Sequence, residues 1–169
     1  MNEIAPLVLI PSYNPGAKGV ETVIGALEVF TPILVVSDGS TDHSDHEFKA
    51  ACQTYPNLYL IQNVRNEGKG AAVLKGLLWA RQHGYTHVLT MDADGQHPID
   101  RINDFIKTAR QHPKAMILGC LSLMRMLRAF GSKGDRFQTG GPILKPYGQG
   151  LAIRCLVSGF ILSSHSSKS

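Results

Sequence analysis

A chain of 169 residues with 43% hydrophobic and 18% charged side chains can close one core and lacks the apolar-poor, charge-rich composition of a disordered segment. Its formal net charge of +4 is unevenly spread: residues 1–118 hold ten Lys/Arg against twelve Asp/Glu, whereas 119–169 hold seven against one. Three cysteines, Cys52, Cys120 and Cys155, are an odd set without metal-ligand spacing, which argues against a disulfide framework or zinc site and fits a reducing compartment.

The opening MNEIAPLVLIP has neither a basic n-region nor a long apolar h-region, so secretion is not expected. Leu7 to Pro11 is a continuous apolar run that predicts a buried strand, followed by SYNPGAKG and then by Val20, Val23, Ile24 and Leu27 at helical spacing. Ile33 to Val36 predicts a second strand, closed by SDGSTD. Ser44 and Glu47 then have the spacing of a capping box for a helix carrying Phe48, Cys52 and Tyr55. Leu58 to Ile61 is a third strand, with Val73, Gly76, Leu77 and Ala80 as the helical stripe after it. Val88 to Met91 is a fourth, followed by the stripe Ile102, Phe105, Ile106 and Ala109, and Ala115 to Leu118 is a fifth.

Unbroken apolar strands alternating with helical stripes imply right-handed crossovers and a mostly parallel sheet with helices on both faces, a Rossmann-like α/β fold. Ligands of such sheets bind outside the carboxyl ends of the strands. Every polar motif of residues 1–118 falls at such an end: SYN, SDGSTD, NVRNEGKG and DADGQHP.

The last of these is the most demanding chemically. Asp92 and Asp94 stand at i and i+2, which puts both carboxylates on one side if the extended conformation continues through them. Hard oxygen ligands so placed suit Mg²⁺ or Mn²⁺, while the bland reading is a strand end with two solvated aspartates. An EF-hand starting at Asp92 fails, because Gln96 and Asn103 occupy positions that need acidic ligands. A D-x-D-G phosphatase with Asp92 as nucleophile is a weaker alternative, since that motif ordinarily follows the first strand rather than the fourth. Asp38, beyond the second strand, can accept hydrogen bonds from a nucleobase or ribose, or serve ordinary turn chemistry. Gly68, Lys69 and Gly70 open a helix where N–H groups and a cation favour an anion, without the spacing of a Walker loop. His97, next to the acidic pair, is the one histidine placed to matter.

Together, IPSYN, VVSDGSTD, NEGKGAAV and MDADGQHP on successive strand ends resemble the family 2 glycosyltransferases of GT-A fold, within them the dolichol-phosphate-mannose-synthase-like group. The resemblance covers Leu7 to Leu118. It implies an inverting transfer from a UDP- or GDP-linked sugar, with Pro11, Tyr13, Asn14, Asp38, Lys69, Gly70 and Asp92 around the donor. It also implies Asp92, Asp94 and Gln96 as the shell of a Mg²⁺ or Mn²⁺ ion. The acceptor would be a lipid phosphate or a glycan, reached by a cytoplasmic protein working at the membrane face, with no nucleic-acid partner. The alternative is a nucleotide- and metal-binding fragment that does not transfer.

Residues 119–169 stand apart as a basic tail rich in glycine and in serine, with eight serines against four in residues 1–118, and carry no readable periodicity. Its longest apolar stretch, GLAIRCLVSGFIL, is interrupted by Arg154 and shorter than the ~20 residues of a membrane-spanning helix. No acceptor-side base is identifiable in it. Read two bases further on, permitted codons for CLSLMRMLRAF encode PVFDEDAP and those for RFQTGG encode SNWW, both closer to a continuation of the resembled family. A reading-frame shift near Gly119 or Cys120 is therefore the expected origin of the tail, with a divergent C-terminal segment as the alternative.

Overall fold

The computed structural model describes residues 4–95 and 99–119, together with two short strands at 143–146 and 154–158. In chain order these form β1 (Pro6–Ser12), α1 (Gly16–Val29), β2 (Ile33–Ser37), α2 (Ser44–Thr54), β3 (Leu58–Gln62), α3 (Lys69–Gln82), β4 (His87–Thr90), a 3₁₀ turn (Ile99–Arg101), α4 (Ile102–Gln111), β5 (Ala115–Gly119), β6 (Ile143–Pro146) and β7 (Arg154–Ser158). The five strands and four helices expected up to residue 119 are all present, with ends within about a residue or two of the apolar runs.

The strands form one sheet in the order β3-β2-β1-β4-β7-β5-β6. All pairings are parallel except β5 with β6. Two strands thus come from the segment in which the sequence shows no element, and β7 lies between β4 and β5. Because β4 pairs with β1 rather than with β3, the chain reverses its direction of travel across the sheet at β1/β4. That reversal opens a crevice where ligands of open α/β sheets bind.

Alternation along each strand explains the two cores. Val8, Ile10, Ile33, Val35 and Leu89 pack with α1, α2 and α4 through Val23, Phe48, Ile106 and Ala109. Leu7, Leu9, Leu34, Val36 and Val88 face α3 through Ala72 and Ala80. Each fully buried Leu, Ile or Val contributes roughly 1.5–3 kcal/mol relative to exposure, so both faces hold the strand ends in register. On α3, Gly76 lets the helix close onto β1, since a Cβ there would run into the Leu9 side chain.

One local expectation is corrected. Ser44 begins α2 but is no N-cap, and no capping box forms: His43 holds the cap position with φ 67° and makes no side-chain cap bond. Asp42 takes over, its Oδ1 accepting from the Ser44 hydroxyl at 2.6 Å and from the Ser44 N–H at 3.2 Å. A carboxylate held at a helix start is favoured by the exposed N–H groups there, which makes Asp42 the stronger competitor for that place.

Candidate functional site

The parallel register aligns the ends of β1, β2 and β3, with Ser12 opposite Ser37 and Ser37 opposite Gln62. Backbone bonds carry the alignment one residue further: Asp38 N–H donates to Ser12 O and Asn63 N–H to Ser37 O, both at 2.8 Å, while Met91 N–H donates to Leu9 O at 3.0 Å. The loops read as functional therefore lie along one edge of the sheet, with those after β1 and β4 flanking the switch point.

The first two loops are stitched to each other. Asn14, with φ 46°, accepts the Thr41 N–H on its Oδ1 at 2.7 Å, and its own N–H donates to Ser40 Oγ at 3.0 Å. Asp42 Oδ2 accepts the Gly16 N–H at 2.7 Å, tying the start of α1 to the β2–α2 loop. Tyr13 is exposed between these fastenings. Pro11, by contrast, is buried within β1 opposite Val36.

Asp38 fastens the second loop to the third. It is only 3% exposed. Its Oδ1 accepts from Asn63 Nδ2 at 2.7 Å and from the Glu67 N–H at 3.0 Å, and its Oδ2 from the Gly68 N–H at 2.7 Å. Behind it, Lys75 Nζ donates to Asn63 Oδ1. Burial pushes the Asp38 carboxyl up, but the Glu67, Asn63 and Gly68 hydrogen bonds and the Lys75 charge outweigh it and hold the carboxyl below its ordinary 3.8. Asp42 is similar: burial raises it, and the bonds from Ser44 and Gly16 bring it below 3.8. Asn63 and Asp42 carry this architecture although neither was singled out in the sequence. The polar N of LIQN directly after an apolar strand was the available signal for Asn63, and the final D of SDGSTD for Asp42.

These depressed values set a pH dependence with a definite sign. A carboxylate whose folded-state pKa lies below its unfolded one adds stability that is complete above the unfolded value and lost as pH falls through the folded one. The thermal midpoint is therefore expected to hold from neutrality down to about pH 4 and to drop below it. Asp42→Asn should lower the midpoint at pH 7 and flatten the drop, as a melting series from pH 7 to pH 2.5 would show.

At the acidic motif the structure departs from the extended geometry expected. β4 ends at Thr90, Ala93 and Asp94 form a turn, and Gly95 has φ 72°. Because the strand ends before Asp92 and the chain turns at Ala93 and Asp94, a turn rather than strand alternation sets the spacing of the two carboxylates. Asp94 is exposed and Asp92 half-buried. The turn packs closely on α1: a Cβ on Gly95 would stand 3.1 Å from Lys18 Cε, and one on Gly19 would stand 3.3 Å from Ala93 O.

Lys69, expected at an anion-favouring helix start, reaches across the switch point, and its Nζ lies 2.6 Å from Asp92 Oδ1. Gly70 occupies the same first turn with open space where a side chain would stand. Gln96 and His97 lie outside the described residues. Among the described residues no group of three or more His, Cys, Asp and Glu side chains could hold a metal. Asp92 nevertheless draws a cation, and two carboxylates on one turn match a Mg²⁺ or Mn²⁺ ion that takes its remaining ligands from phosphate oxygens and water. The donor set fits such an ion on those terms.

The sequence model of the family described as "Glycosyl transferase family 2" matches residues 7–158. The chain belongs to that family. The match continues past Gly119 into the segment that the sequence sets apart. Among curated members, an undecaprenyl-phosphate mannosyltransferase of Micrococcus luteus is 26% identical over 146 residues, 79% of this chain and 60% of its own. A dolichyl-phosphate beta-glucosyltransferase (ALG5D) of Trichomonas vaginalis is 32% identical over 166 residues, 89% of this chain and 47% of its own. This chain thus spans roughly half the length of these family members. A mannosyltransferase of Pyrobaculum calidifontis, solved with GDP-Man and Mn²⁺, superposes with a TM-score of 0.60 at 21% identity, over 76% of this chain and 39% of that one. The fold is therefore of the GT-A type. Among the described residues no helix is long and apolar enough to cross a membrane.

Proposed function

We propose that residues 1–118 form the donor-binding unit of a metal-assisted, inverting glycosyltransferase that takes its sugar from a nucleotide diphosphate and passes it to a lipid phosphate or a glycan. The observation that carries this reading is the pairing of Lys69 with Asp92 at the β1/β4 switch point, beside Asp94 on the same turn. A cation-seeking carboxylate and an exposed ammonium there suit a ligand that brings both a divalent ion and phosphate oxygens. The family relatives named above act on undecaprenyl or dolichyl phosphate and the solved neighbour holds a GDP-linked sugar, which supports the class of donor and acceptor.

Asp92, Asp94 and Gln96 are the proposed holders of the ion, with Asp92 also near the donor. A bound divalent cation supplies electrophilic stabilisation of the negative charge that gathers on the departing diphosphate. The remaining work falls to the chain. Lys69 can exchange Asp92 for a diphosphate oxygen, Tyr13 offers an exposed ring to a base, and Asn14 holds the loop that presents Tyr13. Pro11 supports the same loop from within β1, and Gly70 leaves room for the diphosphate at the start of α3. The protein is proposed to work on the cytoplasmic face of a membrane.

A set of UDP- and GDP-linked sugars, each with Mn²⁺, tests the reading by thermal shift. A donor present at 100 times its Kd should stabilise the fold by about 2.7 kcal/mol, and no shift with any of them would reject the site. A transfer assay with a polyprenyl phosphate then separates transfer from binding alone. The frame-shift origin of residues 119–169 is checked by the gene's nucleotide sequence, in which the displaced frame should read PVFDEDAP and SNWW.

A further inference from the structure

The outer face of α3 is apolar where a surface helix is ordinarily polar. Ala72, Gly76 and Ala80 form the buried side of this helix. Leu74 and Leu78 come two residues after the first two of these, about 200° around the helix at 3.6 residues per turn, and so point away from the sheet. They are 57% and 51% exposed. Val64, in the loop that leads into α3, is fully exposed. Among the described residues the one other exposed large apolar side chain is Tyr13, at the donor rim. A helix that is apolar all round is ordinarily covered all round.

Charge narrows what can cover it. Of the four helices described, α3 alone has no acidic residue, and its Lys69, Lys75 and Arg81 are all exposed. Between Asn63 and His87 the one acidic residue is Glu67, which lies 3.9 Å from Arg65. The acidic residues of α2 belong to the opposite face of the sheet, where that helix packs through Phe48. A second copy seated here by a two-fold axis would set cations against cations. Residues 119–169, with seven Lys/Arg against one Asp/Glu, carry the same sign. An anionic bilayer has the opposite charge at its surface and an apolar interior for the leucines, the combination that helices lying in a membrane interface exploit. Trp79, half-buried and next in the chain to Leu78, is the kind of ring that settles at such an interface. The helix also starts at Lys69, whose ammonium meets Asp92, so its outer face begins at the rim of the donor crevice.

We propose that the outer face of α3, through Leu74, Leu78 and Arg81, is the surface on which the protein rests against an anionic bilayer. This gives the membrane-face reading above a definite contact and does not depend on the donor site.

The test is co-sedimentation of the full chain with vesicles of phosphatidylcholine, alone or mixed with phosphatidylglycerol. It is read together with the quenching of Trp79, the single tryptophan of the chain, by bromine-labelled acyl chains. Binding to the mixed vesicles, weakening as salt is raised, is expected to quench Trp79. The basic residues 119–169 are also drawn to anionic lipid, so the α3 variants decide. Arg81→Glu should lower the partition coefficient at least about fivefold, the worth of one basic residue at such a surface. Leu74→Ser combined with Leu78→Ser should lower it at least about tenfold and abolish the quenching. Lys107→Glu makes the same change of charge as Arg81→Glu but on α4, across the sheet, and should leave partition within about twofold. All four side chains are exposed, so the variants should fold, and a melting curve of each checks this. Sedimentation without quenching, or unchanged by the leucine substitutions, overturns the proposal and assigns binding to another surface. A concentration-dependent mass without lipid that the leucine substitutions abolish gives the face to a second copy and overturns it too. No sedimentation with either vesicle overturns the membrane-face reading as well and leaves the donor site to its own thermal-shift test.

Discussion

Asp94→Ala is expected to weaken Mn²⁺-dependent binding of a nucleotide-sugar by more than about 100-fold while leaving the fold in place, because disturbing even the outer partners of a metal ligand costs roughly 10–100-fold. The residue lies in the turn after β4, exposed, and contributes nothing to either hydrophobic core. Its removal should therefore change stability by about 1 kcal/mol or less. Asp92→Ala is a less clean probe, because it also strands the Lys69 ammonium that now lies 2.6 Å from Asp92. The pair of measurements needed is a calorimetric titration with and without Mn²⁺ and a melting curve of the variant. Unchanged titration would remove Asp94 from the metal shell, and a collapsed melting curve would make it a structural residue instead.

Gly39→Ala is expected to cost about 3 kcal/mol of stability, the sum of a left-handed backbone penalty of about 1–2 kcal/mol and an overpacking cost of about 1–3 kcal/mol. Gly39 has φ 72°, and a Cβ there would stand 2.6 Å from Asn66 N and 2.8 Å from Arg65 Cα. The contact is with backbone, so no flexible side chain can turn aside. The β2–α2 and β3–α3 loops meet at this point, and Asp38 clasps the same two loops through Glu67 and Gly68. Pushing them apart should therefore do more than lower the melting temperature, by roughly 10 °C for a chain of this size. It should also move the start of α3, and Lys69 with it, away from Asp92, so nucleotide binding should fall even at temperatures where the variant is folded. A variant that melts lower but binds normally would show that the clasp and the acidic turn are independent.

Much of this molecule was legible one element at a time. Short, β-branched-rich apolar runs such as LVLI and ILVV between turn signals read as strands covered on both faces, and the spacing of Val20, Val23 and Leu27 gave the buried stripe of α1. The polar stretches between them marked the loops, and four of those loops in fixed order were enough to place the chain among the family 2 glycosyltransferases before any coordinates. Local rules also misjudged two places. The capping box at Ser44 has the right letters, but Asp42 two residues earlier is the better acceptor. The i, i+2 reading of Asp92 and Asp94 assumed a strand, but β4 has already ended at Thr90 and the chain turns at Ala93 and Asp94 into the left-handed Gly95. In each case a neighbour outside the pattern had the lower-energy claim.

Other features have no local signature. Periodicity states which face of a strand is buried but not which strand lies beside it, so the order β3-β2-β1-β4, and with it the crevice between the ends of β1 and β4, comes only from the packed sheet. The same is true of the line from Lys75 through Asn63 to Asp38. Its members are 12 and 25 residues apart in the chain, and a buried carboxylate is tolerable there because the β3–α3 loop brings it three donors, with the Lys75 ammonium of α3 behind Asn63. The two strands contributed by residues beyond 119 belong with these, since each is a strand through its pairing with β4 or β5 rather than through a pattern of its own. From its letters alone the chain specified its elements up to residue 119, their order and the chemistry of its loops, because these depend on neighbours a few residues away. Which loops meet, and which carboxylates are buried among donors, was decided by contacts between distant parts of the chain that exist only once the sheet has formed.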